Sequence, residues 1–106
     1  MAARRRFISA SAMASPWRRR RMCVLIAELP LPALLRTVSA TGAFLETNAR
    51  PQLGCDVELH HPEAGAISAV VSALSNRGIE ITFNFGEESV AFALAAIAAD
   101  MSRSAA

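Results

Sequence analysis

Short apolar segments separated by turn residues occupy most of the chain after residue 21 and predict a series of β-strands. Two of them, Cys55–His60 and Ile79–Phe85, alternate apolar and polar residues, which is the pattern of a strand with one buried face. The other predicted strands are Met22–Ala27, Leu34–Val38, Ala43–Thr47 and Ile67–Leu74. Pro30 and Pro32 are expected to end the first strand and to form an extended connection. Six short strands at this close spacing predict an antiparallel barrel or closed sheet.

The last segment changes from the period of a strand to that of a helix. Glu87 and Glu88 stand where acidic side chains favour a first helical turn, and Arg103 stands where a cation favours a last turn. Apolar residues at spacings of four, three and four form one helical face, which consists of Val90, Leu94, Ile97 and Met101. We expect this face to pack on one end of the barrel as a lid. The alternative is a helix that binds a partner.

Length and composition limit the classes of protein. The 106 residues suffice for one domain, and the apolar content of 53% excludes a disordered chain. No apolar stretch approaches the ~20 residues of a membrane-spanning helix, which excludes such a helix. Cys23 and Cys55 are too few for a disulfide scaffold or a four-thiolate zinc site. We expect both to be small core residues in a reducing compartment.

The net charge of +2 is unevenly distributed. Residues 1–21 carry seven arginines and no acid, whereas residues 22–106 carry four arginines and nine acids. We interpret residues 1–17 as a flexible basic arm, residues 18–103 as the domain and residues 104–106 as a tail. Because the body is acidic, DNA is not an expected partner. The absence of lysine fits either recognition of planar anions by arginine or a codon bias.

The basic start of the chain has three further interpretations. Arg4–Ile8 resembles a twin-arginine export signal, with Ala12–Ala14 as a cleavage site. The stretch between them is too short and polar for an export signal, and arginines follow it at once. An organelle transit peptide is the second interpretation, and an overlong start is the third. We expect a cytoplasmic protein.

Few side chains suggest catalysis or metal binding. His60 and His61 are expected to be surface residues of a turn, because neighbours on a strand point to opposite faces and cannot both bind one metal. Ser39 has no surrounding GxSxG motif. Phe83 and Phe85 are expected in the core. Trp17 either stacks on a base or on an arginine, or packs on the end of the barrel. The sequence predicts no enzyme, no metal and no cofactor.

The order of these features resembles the PilZ domain, the bacterial receptor module for cyclic di-GMP. An arginine cluster precedes the first strand, a TxSxxG segment lies within Thr37–Leu45, Gly54 closes a loop, and Gly78–Phe83 precedes the terminal helix. In that family an RxxxR motif precedes the first strand and a (D/N)xSxxG motif follows. The resemblance covers about residues 18–102. It implies an all-β fold, a six-stranded antiparallel PilZ-like barrel with a C-terminal α-helix, in agreement with the periodicity.

The resemblance also implies a ligand site for cyclic di-GMP. Arginine can donate two parallel hydrogen bonds to a phosphate or to guanine O6 and N7. Serine can hydrogen-bond to the base or the ribose, and glycine lets the backbone approach the ligand closely. The implied ligand-binding residues are Arg18, Arg19, Arg20, Arg21, Thr37, Ser39 and Gly42.

The sequence departs from the family motifs at two points. Thr37 stands where the family has Asp or Asn, and Arg18–Arg21 contains no pair of arginines four residues apart. Two functions therefore stay open. The first is a receptor or adaptor that binds cyclic di-GMP and acts on an unknown downstream protein, as a monomer or homodimer. The second is a protein-interaction module of the same fold that binds no ligand.

Overall fold

Six antiparallel strands close into a barrel, and one helix follows them. The computed structural model describes residues 22–105, with side chains to residue 101. The strands are β1 (Met22–Ile26), β2 (Pro30–Val38), β3 (Gly42–Glu46), β4 (Asp56–His61), β5 (Gly65–Leu74) and β6 (Gly78–Phe83), and the helix is α1 (Glu87–Ala105). Around the barrel the order is β1-β2-β3-β6-β5-β4, and β4 pairs with β1 to close it. The predicted fold class is confirmed.

Strand β2 is longer than predicted, because Pro30 and Pro32 belong to it. They pair with Ile26 and Val24 of β1, whereas the pairing of β2 with β3 starts only at Leu34. The first residues of β2 therefore have a neighbouring strand on one side only. Proline, which has no backbone N–H donor, is tolerated at such an edge.

The barrel is filled by alternating apolar side chains from all its strands. Those that are least exposed are Leu25, Leu45, Leu59, Val71, Ile79 and Ile81. Cys23 is buried among them, and Cys55 packs against the same core. Burial raises the pKa of the Cys23 thiol to about 12. Neither cysteine is part of a disulfide, so both are the small apolar residues that the sequence predicts.

Helix α1 packs on the barrel through a different face from the predicted one. Phe92, Ala93, Ala96 and Ala99 are buried, whereas Leu94 and Met101 are 64% and 63% exposed. The Phe92 ring meets the Phe83 ring edge-on, with centroids 5.6 Å apart. One large side chain thus enters the barrel end, and the alanines let the helix backbone come close. The predicted lid is present, but its apolar stripe faces solvent.

The first turn of α1 is held by a side chain that the sequence analysis did not single out. Ser89 is fully buried, and its Oγ accepts the N–H of Gly86 at 2.9 Å and donates to the Gly86 carbonyl at 3.1 Å. The side chain thereby satisfies backbone groups that precede the helix, as in a capping box. Glu87 and Glu88 occupy the first turn as predicted.

Two expectations about single side chains are wrong. Phe85 is largely exposed, because β6 ends at Phe83 and the alternation stops there. His61 is buried rather than on the surface, because it is the last inward-facing residue of β4. His60 points outward as expected, and its Nε2 lies 2.8 Å from Glu58 Oε1.

Candidate functional site

The structure brings Thr37, Ser39 and Gly42 together along one groove on the barrel wall. The groove encloses about 300 Å³. The residues that line it are Thr37, Val38, Ser39, Thr41, Gly42, Ala43, Phe44, Ser72, Glu80, Ile81 and Thr82. Arg18, Arg19, Arg20 and Arg21 lie outside the described residues. Among the predicted site residues, the three from the TxSxxG segment thus lie on one continuous surface.

Two β-bulges shape this groove. Leu35 pairs with Leu45 and Thr37 with Phe44, so Arg36 is an extra residue in β2. On the other side, Val71 pairs with Ile81 and Ala73 with Glu80, so Ser72 is an extra residue in β5. A bulge reverses the inward and outward alternation of a strand. Without the bulge at Arg36, the two-residue period from Leu35 would point Thr37 into the core.

Ser39 is engaged within its own turn. Its N–H donates to the Gly42 carbonyl at 2.8 Å, which closes the connection between β2 and β3. Its Oγ accepts the N–H of Thr41 at 3.2 Å and lies 3.0 Å from Thr41 Oγ1. The hydroxyl therefore stabilises the turn, in the manner of a serine turn. A ligand bond to Ser39 would add to these bonds or compete with them.

Gly42 is required by the barrel itself. A Cβ at this position would collide with the carbonyl oxygen of Ile81 in β6. Gly42 is not among the positive-φ glycines of the described chain, which are Gly54 and Gly65. The close approach of β3 to β6 is therefore sufficient to require glycine at this position.

The structure adds two residues to the site that the sequence analysis missed. Phe44 pairs with Thr37 on one side and with Glu80 on the other, so the three side chains form a row across β2, β3 and β6. Paired residues share one face of a sheet. Phe44 is half-buried, and Glu80 is exposed. An acid on the polar face of an alternating strand is the only signal in the sequence, and the register that places it beside Thr37 is long-range.

The groove therefore combines hydroxyls, an aromatic ring and a carboxylate. Residues 22–101 contribute no basic side chain to its lining. The neighbouring Arg36 instead lies with its Nη1 3.7 Å from Glu46 Oε1. Such a surface can accept hydrogen bonds from a base edge and present a ring to its face. The lining contributed by residues 22–101 thus offers no positive charge to an anion.

The part of the chain that the structure describes offers neither a metal centre nor a membrane span. No group of three or more histidine, cysteine, aspartate or glutamate side chains there is placed to hold a metal ion. No helix within residues 22–105 is long and apolar enough to span a membrane.

Comparison with known proteins gave no match to the chain among family models, curated proteins or solved structures. Support for a function therefore rests on the groove and on the surface of α1.

Proposed function

We propose that the protein is a PilZ-like receptor or adaptor of bacterial signalling that binds cyclic di-GMP in the cytoplasm and catalyses no reaction. The observation that carries the proposal is the convergence of Thr37, Ser39 and Gly42 on a groove that also holds Phe44 and Glu80. The barrel with its C-terminal helix is the architecture that the sequence resemblance implies.

The groove suggests how one guanine would be held. Guanine carries N–H donors on its Watson–Crick edge, and a carboxylate can accept two of them. Thr37 cannot do so, because a single hydroxyl replaces the Asp or Asn of the family motif. Glu80 lies two strands from Thr37 in the same row, about 10 Å away at the spacing of a sheet. We assign to Glu80 the acceptor role that Thr37 lacks, with Phe44 beneath the base.

The arginine cluster would bind the phosphates. β1 begins at Met22, which pairs with Leu34, three residues before Thr37 in β2. Arg18–Arg21 directly precede Met22 in the sequence, and Met22 is at the end of β1 that is nearer to the groove. Arginine forks onto phosphate oxygens with two parallel hydrogen bonds. The groove is at the lower limit of small-molecule sites, so the cluster would hold the part of the dinucleotide that projects from it.

Calorimetric titration of the full chain with cyclic di-GMP tests the proposal. We expect binding that weakens between about 50 and about 200 mM salt, because phosphates meet arginines. Glu80→Gln should weaken binding by about tenfold, because an amide offers one acceptor in place of two. Cyclic di-AMP should bind more weakly, because the Watson–Crick edge of adenine has one donor group beside an acceptor, whereas guanine has two adjacent N–H donors for the Glu80 carboxylate.

Glu58→Gln is the matched control, since it makes the same change on an exposed strand residue that does not line the groove. Its affinity should equal that of the wild type. Equal losses for both variants would contradict the role of Glu80. If the wild type does not bind cyclic di-GMP at the low or at the high salt concentration, the receptor function is rejected.

A protein-interaction module that binds no ligand is the second candidate. The exposed stripe of α1 favours it, because four apolar side chains of one helix face solvent. Thr37 and the missing arginine spacing point the same way. The failure of cyclic di-GMP to bind, combined with association through α1, would establish this second function.

A further inference from the structure

One face of α1 is apolar and exposed from Val90 to Met101. Leu94 and Met101 are 64% and 63% exposed, and Val90 and Ile97 are 37% and 41% exposed. These four residues lie on a different side of the helix from the buried Phe92 and Ala96. The exposed residues beside them on the helix are Ala91 and Ala98, and no charged residue stands between Ser89 and Ala99. Exposed apolar surfaces of this kind mark interaction sites in soluble proteins.

We propose that this stripe (Val90, Leu94, Ile97 and Met101) pairs with the same stripe of a second copy, with the two helices antiparallel. The protein would then be a two-fold symmetric dimer. The proposal goes beyond the ligand site and does not depend on cyclic di-GMP.

The spacing of the stripe is that of a two-helix seam. Steps of four, three and four residues are the spacing of the a and d positions of a coiled coil, so a second helix can pack along them. The broad face of α1 is already used on the barrel through Phe92 and the alanines. A second helix is therefore the partner that fits the stripe.

The stripe is complementary to itself in the antiparallel direction. A two-fold axis between Ala95 and Ala96 places Leu94 opposite Ile97 of the second copy. The same axis places Val90 opposite Met101 of the second copy. Every large side chain of the stripe thus meets a large side chain, as an isologous interface requires. The alanines beside the seam let the two helices approach closely.

Charge favours the antiparallel direction over the parallel one. Antiparallel helices place the positive end of one dipole beside the negative end of the other. A parallel pair would instead bring the acidic first turns, with Glu87 and Glu88, together.

Sedimentation equilibrium of the full chain between about 1 and about 500 µM tests the proposal. We expect the wild type to dimerise in this range, because the barrel already holds the helix in its binding conformation. Leu94→Glu should raise the dissociation constant by at least about thirtyfold, because each copy would bury a carboxylate in the seam. Its circular dichroism should remain that of the wild type.

Leu53→Glu is the matched control, because Leu53 is 62% exposed in a loop and Leu94 is 64% exposed on the helix. This variant should dimerise like the wild type. A wild type that stays monomeric at the highest concentration, or a Leu94→Glu variant that dimerises as well as Leu53→Glu, would overturn the proposal.

Disulfide trapping tests the direction of the helices. In the antiparallel dimer, Val90→Cys should cross-link with Met101→Cys in a mixture of the two variants and not with itself. Wild-type protein, which keeps Cys23 and Cys55, gives the background. Self-cross-linking of Val90→Cys alone would show a parallel pair and overturn the proposed arrangement.

Discussion

The ring of His61 meets the ring of Phe92 edge-on, with centroids 6.0 Å apart, and this contact joins the end of β4 to α1. His61 Nδ1 accepts the backbone N–H groups of Glu63 and Ala64, both at 3.0 Å. The neutral imidazole with its proton on Nε2 is therefore the form that fits. A second proton would have to bind at Nδ1 and would displace both hydrogen bonds.

We predict that the protein loses stability below neutral pH because of His61. Burial lowers the pKa of His61 from its ordinary value of 6.5. Below pH 6.5 the unfolded chain binds a proton that the folded chain does not, so the free energy of unfolding falls as the pH decreases. The full stability is present above pH 6.5. Melting temperatures between about pH 8 and about pH 5, above the range of most carboxylates, measure the effect.

His61→Asn separates this effect from other titrations. The asparagine Oδ1 stands as far from Cβ as Nδ1 and can accept the same two N–H groups, but it does not titrate. Asp100 and Arg36 line the cavity beside His61 and stay in both proteins. The melting temperature of the variant should change less with pH in this range than that of the wild type. An unchanged pH dependence would assign the loss of stability to other groups.

The two faces of α1 should respond differently to the same substitution. Phe92→Ala removes a buried ring from the end of the barrel and should cost about 3–5 kcal/mol. Leu94→Ala changes an exposed side chain and should cost about 0.5 kcal/mol or less at low protein concentration. Urea denaturation measures both. A larger loss for Leu94→Ala would show that the stripe is buried in the monomer.

Local patterns in the sequence predict most of the barrel but not the packing of its helix. Strand alternation places Leu59 and Ile81 correctly, because their inward side is set by near neighbours. The helical sequence contains two candidate faces, and hydrophobicity favours the larger side chains of Leu94 and Met101. The choice of Phe92 and the alanines depends on the shape of the barrel end, where a close helix leaves room for one ring. That shape is a property of the tertiary fold.

Substitution of Gly42 should destabilise the fold whether or not a ligand binds. In Gly42→Ala, the added Cβ would force β3 away from the Ile81 carbonyl, at a cost of about 1–3 kcal/mol. Gly86→Ala is the control, because no atom lies within 4 Å of its Cβ position. Its stability should stay within about 1 kcal/mol of the wild type. Equal melting temperatures of the two variants would refute the close approach.

The candidate site follows from the sequence only in part. The TxSxxG segment identifies Thr37 and Ser39 as neighbours, because they are close along the chain. Glu80 is 43 residues from Thr37 in the sequence, and it joins the row only through the pairing of both strands with Phe44. The bulge at Arg36, which turns Thr37 outward, leaves no pattern in the sequence that distinguishes it from a regular strand.

Thr37→Asp should strengthen cyclic di-GMP binding if the groove holds a guanine. The aspartate would stand two strands from Glu80 in the same row, across Phe44, and would offer the second guanine of the dinucleotide the acceptor that the family motif has at this position. We expect a gain of about tenfold, which corresponds to about 1.4 kcal/mol and to one charge-assisted hydrogen bond. Replacement of Arg20 and Arg21 by alanine should abolish binding in both backgrounds, because the phosphates lose their counter-charges. Calorimetric titration of these proteins side by side is the measurement. If neither the wild type nor Thr37→Asp binds cyclic di-GMP, only the interaction module remains. If Thr37→Asp binds more tightly than the wild type, the ligand lies in this groove.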